Sequence, residues 1–378
     1  MARHVVGWAL LADAVPLYPL YALLFTANGL SVAQISALFA IWSAVAVLTE
    51  VPSGALADRF SRRSCLAAAG LLQAAGYVVW VVAPGFAGFA AGFVLWGFGG
   101  SLASGAKEAL LYDGLDAVGA GGHYARVAGW VGAMELVGQF PAAIAATVLL
   151  PVGGFSLVGW VSVGTCVAAA GVAAALPEPP RGDADEDTGY FATLRAGIAE
   201  AARAPGVPAV VAAVAVLAAF DGIEEYFPLL VADWGIAAGA VPLATLPIVI
   251  GGTVGATLGG AAHRLPRWAL GAVLGSGMVL LAGAGVAAHP AGVLAVTAFY
   301  GTYRAVLVVV DARLQKRIAS RSRATVTSVA GLGAEIVTFG VYAAWAAGGV
   351  LLVAAAGAVI AALLPRLLRG GPADLSGG

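Results

Sequence analysis

Apolar residues fill this chain in blocks, not in the alternating or amphipathic stripes of a water-soluble fold. Blocks of roughly 20 mostly apolar residues recur from end to end, parted by Gly/Pro turns or clusters of charge. A helix that crosses a hydrocarbon core of about 30 Å needs about 20 residues at about 1.5 Å each. Twelve such blocks predict twelve spans, over 5–27, 33–54, 64–83, 86–110, 126–149, 153–176, 207–231, 240–262, 268–288, 291–312, 324–346 and 348–364. The divisions at Pro84-Gly85, Pro151-Val152-Gly153-Gly154 and Ala347-Gly348-Gly349 are short, so they predict tight helical hairpins.

Composition narrows the class. Of 378 residues, 61% are hydrophobic and only 10% charged, against about 25% charged in soluble domains. Mean hydropathy is +0.94. So few charges cannot coat a soluble surface, which excludes a soluble enzyme, a nucleic-acid binder and a disordered scaffold. The net charge of −1 sets up no field that gathers polyanions. Cys65 and Cys166 sit in apolar runs without metal-ligand spacing and read as small packing residues. The first block holds Asp13, Pro16 and Pro19 and lacks a cleavage motif, so it reads as a retained span.

Orientation follows from the positive residues. Of 19 Lys and Arg, Lys107 and Arg304 sit within spans. The rest gather at the N-terminus, around the loops after even-numbered spans, or near the C-terminus. No loop after an odd-numbered span carries one. Positive residues stay cytoplasmic, so both termini are expected inside a multi-pass protein of the cytoplasmic membrane. The longest connection opens with the acidic, Pro-rich run 177–189 and continues with Tyr190, Phe191, Leu194 and Ile198 on one helical face. That predicts a flexible linker and a short interfacial helix over 177–206. A six-span bundle (1–176) precedes it. A second (207–364) follows, with a tail at 365–378.

Six plus six suggests duplication. Asp13 and Tyr18 recur as Asp221 and Tyr226 at an offset of 208, and Gly29-Leu30 recurs as Gly235-Ile236 at 206. Gly54, Asp58-Arg59 and Arg62 are echoed by Gly259, His263-Arg264 and Arg267 at 205. Asp113 pairs with Asp311 at 198, and Glu135 with Glu335 at 200. The matches run in order at nearly constant offset, as two homologous halves related by an axis along the membrane normal would give.

After the second span comes GALADRFSRRSCL, residues 54–66. This run resembles the loop between helices two and three of the major facilitator superfamily, G-x-L-A-D-R-x-G-R-R-x-x-L. Gly54, Leu56, Ala57, Asp58, Arg59, Arg62, Arg63 and Leu66 match, whereas Ser61 stands where the family usually has Gly. The resemblance implies an all-α membrane fold of twelve transmembrane helices in two pseudo-symmetric six-helix bundles, extending over the whole chain. It implies a transporter, not an enzyme, and a loop (Gly54, Asp58, Arg59, Arg62, Arg63) that latches the cytoplasmic side. Gly54 suits close helix packing, and Asp58 suits a helix N-terminus in the other half. The arginines either pair with acids across the gap between halves or only anchor the loop inside. The arginine common in helix four of drug antiporters has no clear counterpart, and the helix-five motif survives only as Gly132, Gly138 and Pro141.

Intramembrane charges are costly and mark function by default. Asp13, Glu135 and Glu335 lie about 8–10 residues from the inner ends of their spans, roughly 12–15 Å deep. Glu135 and Glu335 are expected to face a central cavity and at least one to bind a proton; the alternative is permanent pairing with Lys107, Arg304 or a backbone donor. Asp221, Glu224 and Glu225 share a helical face at i, i+3, i+4. They form either a protonation or cation-attracting site or a solvated rim. Arg304 needs an acidic partner on another helix or an anionic substrate group. Tyr18, Tyr226 and Tyr300 either stack on an amphipathic substrate or pack internally, and Trp8 reads as an interfacial anchor.

No cofactor or metal is expected. A phosphate loop is absent, because Ala106 separates Gly105 from Lys107, and the four histidines form no zinc motif. The expected function is secondary active transport of a small organic molecule by alternating access, with protons as coupling ion and export of a drug-like compound or secondary metabolite as the direction. The alternatives are a proton-coupled uptake permease and, more distantly, a channel or an intramembrane enzyme. The expected partners are a small-molecule substrate, protons and the bilayer, with no nucleic acid, and a monomeric state.

Overall fold

The computed structural model describes residues 2–178, 207–262, 265–318 and 323–369. The expected interfacial helix at 190–204, most of the linker and the C-terminal tail lie outside these residues, as does His263-Arg264. Everything regular among them is helical. Ten stretches are long and apolar enough to cross a membrane. Two of these, Arg126–Ala174 (49 residues) and Val329–Leu367 (39 residues), are too long for one crossing. At about 1.5 Å per residue they would reach about 74 and 58 Å.

Each long stretch is broken at a glycine pair. Gly153 (φ −142°, ψ 18°) and Gly154 (φ 62°, ψ −166°) interrupt the first. Gly348 (φ −153°, ψ 16°) and Gly349 (φ 59°, ψ −154°) interrupt the second with nearly the same angles. The positive φ of the second glycine in each pair suits a residue without a Cβ. Counted as two crossings each, they bring the total among the described residues to twelve spans. The chain is an all-helical, multi-pass membrane protein.

The chain divides into two compact units. One comprises Met1–Ala184 with Ala237–Leu243, and the other Asp185–Ile236 with Ala244–Gly378. Within each unit the first span is discontinuous. In the first unit a helix over Ala2–Asp13 stops and the chain resumes through the 3₁₀ turn Tyr18–Leu20 into Tyr21–Ala27. Pro16 lacks an amide hydrogen and Pro19 fixes its φ, so an unbroken helix is unavailable here. The Leu17 amide that the break frees donates to Ser162 Oγ at 2.9 Å.

In the second unit the helix Val207–Ala218 passes into an eight-residue 3₁₀ segment, Ala219–Tyr226, before Phe227–Asp233, with Pro228 in its first turn. The Tyr303 hydroxyl donates to the Leu217 carbonyl at 2.9 Å. Lipid supplies no partner for a loose backbone group, and in both units a side chain from another span supplies it.

Glycine allows the helices to meet backbone to backbone. A Cβ on Gly76 would come within 2.9 Å of the Gly92 carbonyl oxygen, which locks spans three and four. In the second unit Gly251, Gly255 and Gly259 line one side of span eight, and each faces the backbone of span ten. A Cβ on Gly255 would stand 1.9 Å from the Gly301 oxygen. Such small-xxx-small rows let membrane helices pack by dispersion alone. Buried rings fill the far end of the first unit: Trp80 packs edge-on against Phe25 and Tyr77, each at 5.2 Å, and Phe93 at 4.9 Å.

Gly255→Ala is expected to destabilise the purified protein by about 1–3 kcal/mol through overpacking. Gly260→Ala, where a Cβ meets nothing within 4 Å, is expected to leave the thermal unfolding midpoint unchanged. Differential scanning fluorimetry of both variants checks this.

Candidate functional site

In the first unit, spans three and four each turn one stripe inward. Trp96, Gly100, Ala103 and Lys107 recur at helical spacing on span four, as do Leu66, Ala69, Gly70, Gln73 and Tyr77 on span three. With Trp8, Asp13 and Tyr18 of span one, Trp42 of span two and Glu135 of span five, they line a cavity of about 340 Å³. Lys107 Nζ donates to Glu135 Oε1 at 2.6 Å. The Asp13 carboxylate opens onto the same cavity.

Span five approaches span one at Gly138, one turn beyond Glu135. A Cβ there would lie 2.6 Å from the Leu10 carbonyl oxygen and 3.1 Å from Asp13 Cβ. This close approach sets Asp13 against span five, about one helical turn from Glu135. Rings cluster in the same lining: Trp42 and Trp96 centroids are 5.0 Å apart, and Tyr18 and Trp96 6.1 Å.

The second unit holds its own set. Arg304 Nη1 donates to both Asp221 oxygens, at 2.8 and 3.0 Å. The Tyr300 hydroxyl donates to Glu224 Oε2 at 2.8 Å and reaches Asp221 Oδ1 at 3.3 Å. The guanidinium carbon lies 6.0 Å from the Tyr300 ring centre. The shared-face expectation for Asp221, Glu224 and Glu225 needs correction. It assumes an α-helix, but the segment is 3₁₀. Three residues per turn bring Asp221 and Glu224 into line on Tyr300 and rotate Glu225 away by about 120°.

A correspondence emerges that the sequence reading missed. Lys107 and Arg304 stand 197 apart, beside the Asp113/Asp311 offset of 198. Each unit therefore carries an acid on its first span, a cation on its fourth and an acid on its fifth: Asp13, Lys107, Glu135 and Asp221, Arg304, Glu335. In the first unit the cation holds the fifth-span acid, and in the second the first-span acid. Glu335 is half-buried one turn before Thr338. Thr338 stands 200 residues after Gly138 and hydrogen-bonds the Ala219 carbonyl at 3.4 Å.

Other expectations change. Tyr226 is no cavity aromatic: it is fully buried and stacks on Trp345 at 4.3 Å, because the 3₁₀ turn directs it into the helix interface. Tyr300 is buried and committed to the acids. Tyr18 does face the first-unit cavity. Trp8 is not an interfacial anchor but lines that cavity, with 6% of its surface exposed. Gln73, Trp42 and Tyr77 went unremarked. A lone amide midway along an apolar span was the available signal for Gln73.

At the start of span three, Arg62 pairs with Asp113 and donates to the Ala109 carbonyl at 3.1 Å. Glu178 accepts from the Arg62 amide at 2.6 Å and from the Ser61 hydroxyl, with Arg63 Nε at 3.6 Å. Both arginines find acids within their own unit. Glu178 thus sits at the positive end of the third-span helix dipole. Ser61 serves as N-cap with extended dihedrals (φ −60°, ψ 126°), so the turn needs no glycine there. Gly54, Asp58 and Arg59 belong to the helix Val32–Arg59, and their environments lie outside the described residues. Among the described residues, no group of three His, Cys, Asp or Glu gathers as a metal site.

A membrane protein of two duplicated helical units, with paired charges and stacked rings facing internal space, is a carrier in architecture. Residues 5–341 match the sequence model of the Major Facilitator Superfamily, and the chain belongs to that family. It is a transporter, not an enzyme. No curated protein sequence matches it. Solved structures of the same fold include the nucleoside transporter NupG, at 12% identity and TM-score 0.78, covering 98% of this chain and 99% of that one. A D-xylose-proton symporter is 15% identical with TM-score 0.70, covering 97% of both chains. A bacterial homolog of the human lysosomal transporter Spinster is 17% identical with TM-score 0.72, covering 97% and 91%.

Replacing Arg304 by Gln strands the Asp221 charge and is expected to lower the unfolding midpoint. Adding Asp221→Asn in the same protein is expected to restore part of the loss, as thermal unfolding of the single and double variants would show.

Proposed function

We propose that this transporter exports small amphipathic organic molecules across the cytoplasmic membrane in exchange for protons, by alternating access of the two units. The supporting observation is the first-unit cavity, where Asp13, Lys107 and Glu135 meet an aromatic wall. Carboxylates at this depth persist only where they pair or do work. In this reading Asp13 or Glu135 in the first half, and Glu335 or the Asp221–Glu224 pair in the second, take up and release the proton. The lysine and arginine hold whichever acid is ionised. Placement of Lys and Arg outside the spans supports cytoplasmic termini.

One proton moving through 100 mV yields about 2.3 kcal/mol, enough for a roughly fifty-fold gradient of neutral cargo. A proton symporter for D-xylose stands among the structures of this fold, which supports proton coupling and keeps uptake as the second reading.

Everted vesicles with an acidic lumen test the direction with a panel of fluorescent compounds. Exchange with protons predicts accumulation inside the vesicles, whereas symport predicts proton-driven extrusion. Glu135→Gln and Glu335→Gln together are expected to cut pH-driven accumulation at least tenfold while leaving gradient-free counterflow measurable. Full proton-driven transport by that double variant refutes the assignment of the coupling site.

A further inference from the structure

The cavity of the first unit carries an imbalance. Lys107 is committed to Glu135 at 2.6 Å. Among the described residues, no hydrogen-bond donor or ion-pair partner reaches the Asp13 carboxylate. Two acids and one base leave the cavity one negative charge in excess when all are ionised. The Gln73 amide, also on the wall, has no hydrogen-bond partner among the described residues. The rings of Tyr18, Trp42 and Trp96 line the same cavity and cluster on one another, at 6.1 and 5.0 Å between centroids.

Each feature selects for a property of the occupant. An uncompensated carboxylate away from bulk water favours one positive charge, and two would overcompensate it. Indole and phenol faces attract organic cations through their quadrupoles and stack on flat rings. A volume of about 340 Å³ lies at the small end of ligand cavities, suiting a compact bicyclic molecule. An anion meets Asp13 with repulsion, because the Lys107 charge is already spent on Glu135.

We propose that this cavity binds monovalent organic cations with a flat aromatic body, Asp13 acting as counter-ion and the Trp42–Trp96 wall as stacking platform. The inference rests on the transporter reading of the same cavity and adds the substrate's chemical class.

The test uses full-length protein in nanodiscs and quenching of its tryptophan fluorescence by isosteric probes at pH 8. They are the permanent cation 1-methyl-4-phenylpyridinium, the uncharged 4-phenylpyridine and the anion 4-phenylbenzoate, with the dication methyl viologen as a fourth. The cation is expected to bind saturably and at least tenfold more tightly than the other three. Asp13→Asn is expected to weaken the cation at least tenfold, leave 4-phenylpyridine unchanged and so erase the preference. Asp13→Glu is expected to retain it, and Trp96→Leu to weaken cation and neutral probe alike. Equal affinities across the series, unaltered cation binding by a folded Asp13→Asn protein, or no cation binding at all would overturn the proposal. If Asp13→Asn does not fold, the probe series on the wild type and on Asp13→Glu decides. Binding needs no gradient: a protein that binds the cation but shows no proton-driven flux sinks the coupling reading alone. One that pumps other solutes but ignores the cation sinks this inference alone.

Discussion

Lipid offers nothing to a loose amide, carbonyl or charge, and that constraint shapes both units. Wherever the chain departs from helix inside the membrane, another span must answer. Ser162 answers for the amide freed at Leu17, Tyr303 for the carbonyl of Leu217, and Thr338 for that of Ala219. Two of the charges that enter meet a counter-charge from a different helix: Lys107 meets Glu135, and Arg304 meets Asp221. These obligations tie the first, fourth and fifth spans of each half together. The glycine contacts, such as Gly138 on Leu10 and Gly255 on Gly301, bring the backbones near enough for the side chains to meet.

The two halves solve this problem with the same parts in different arrangements. The cation sits at the corresponding place on the fourth span of each, yet it closes on the fifth-span acid in one half and the first-span acid in the other. Discontinuity differs too: a proline-driven stop at Asp13 against a 3₁₀ stretch around Asp221. In the second half the 3₁₀ turn stacks two acids on one tyrosine. In the first, Asp13 faces a cavity lined by rings, beside the Lys107–Glu135 pair. Duplication with divergence gives one half a tightly hydrogen-bonded charge cluster and the other an open-faced one.

Much of this was legible in the chain. Twelve apolar blocks, the 54–66 loop and the ordered recurrence of Asp13, Asp113 and Glu135 specify the family and name most residues of both clusters. Gly153-Gly154 and Gly348-Gly349 marked the hairpins. What the sequence left open depends on rotation and depth, which one-dimensional spacing does not carry. An α-helical wheel puts Glu225 with Asp221; the 3₁₀ segment separates them and lines Tyr226 up with buried Phe220 and Ile223. Trp8 looked like an interface residue because it lies near an end, and only the buried cluster it joins with Leu66, Ala69, Leu102 and Ala173 places it inside. Glu178 reads as the start of a polar linker, and its role as helix cap needs Ser61 and Arg62 beside it.

The glycine-pair links have a practical corollary. Between odd-numbered spans and their successors the chain never spends more than the seven residues 234–240, and after spans five and eleven it spends only two glycines off the helical path. In each unit, the end that carries these short links is therefore almost bare of polypeptide among the described residues. Antibody fragments, proteases and inserted tags will find little purchase on those links, so reporters and affinity handles belong in the longer connections between even-numbered spans and their successors.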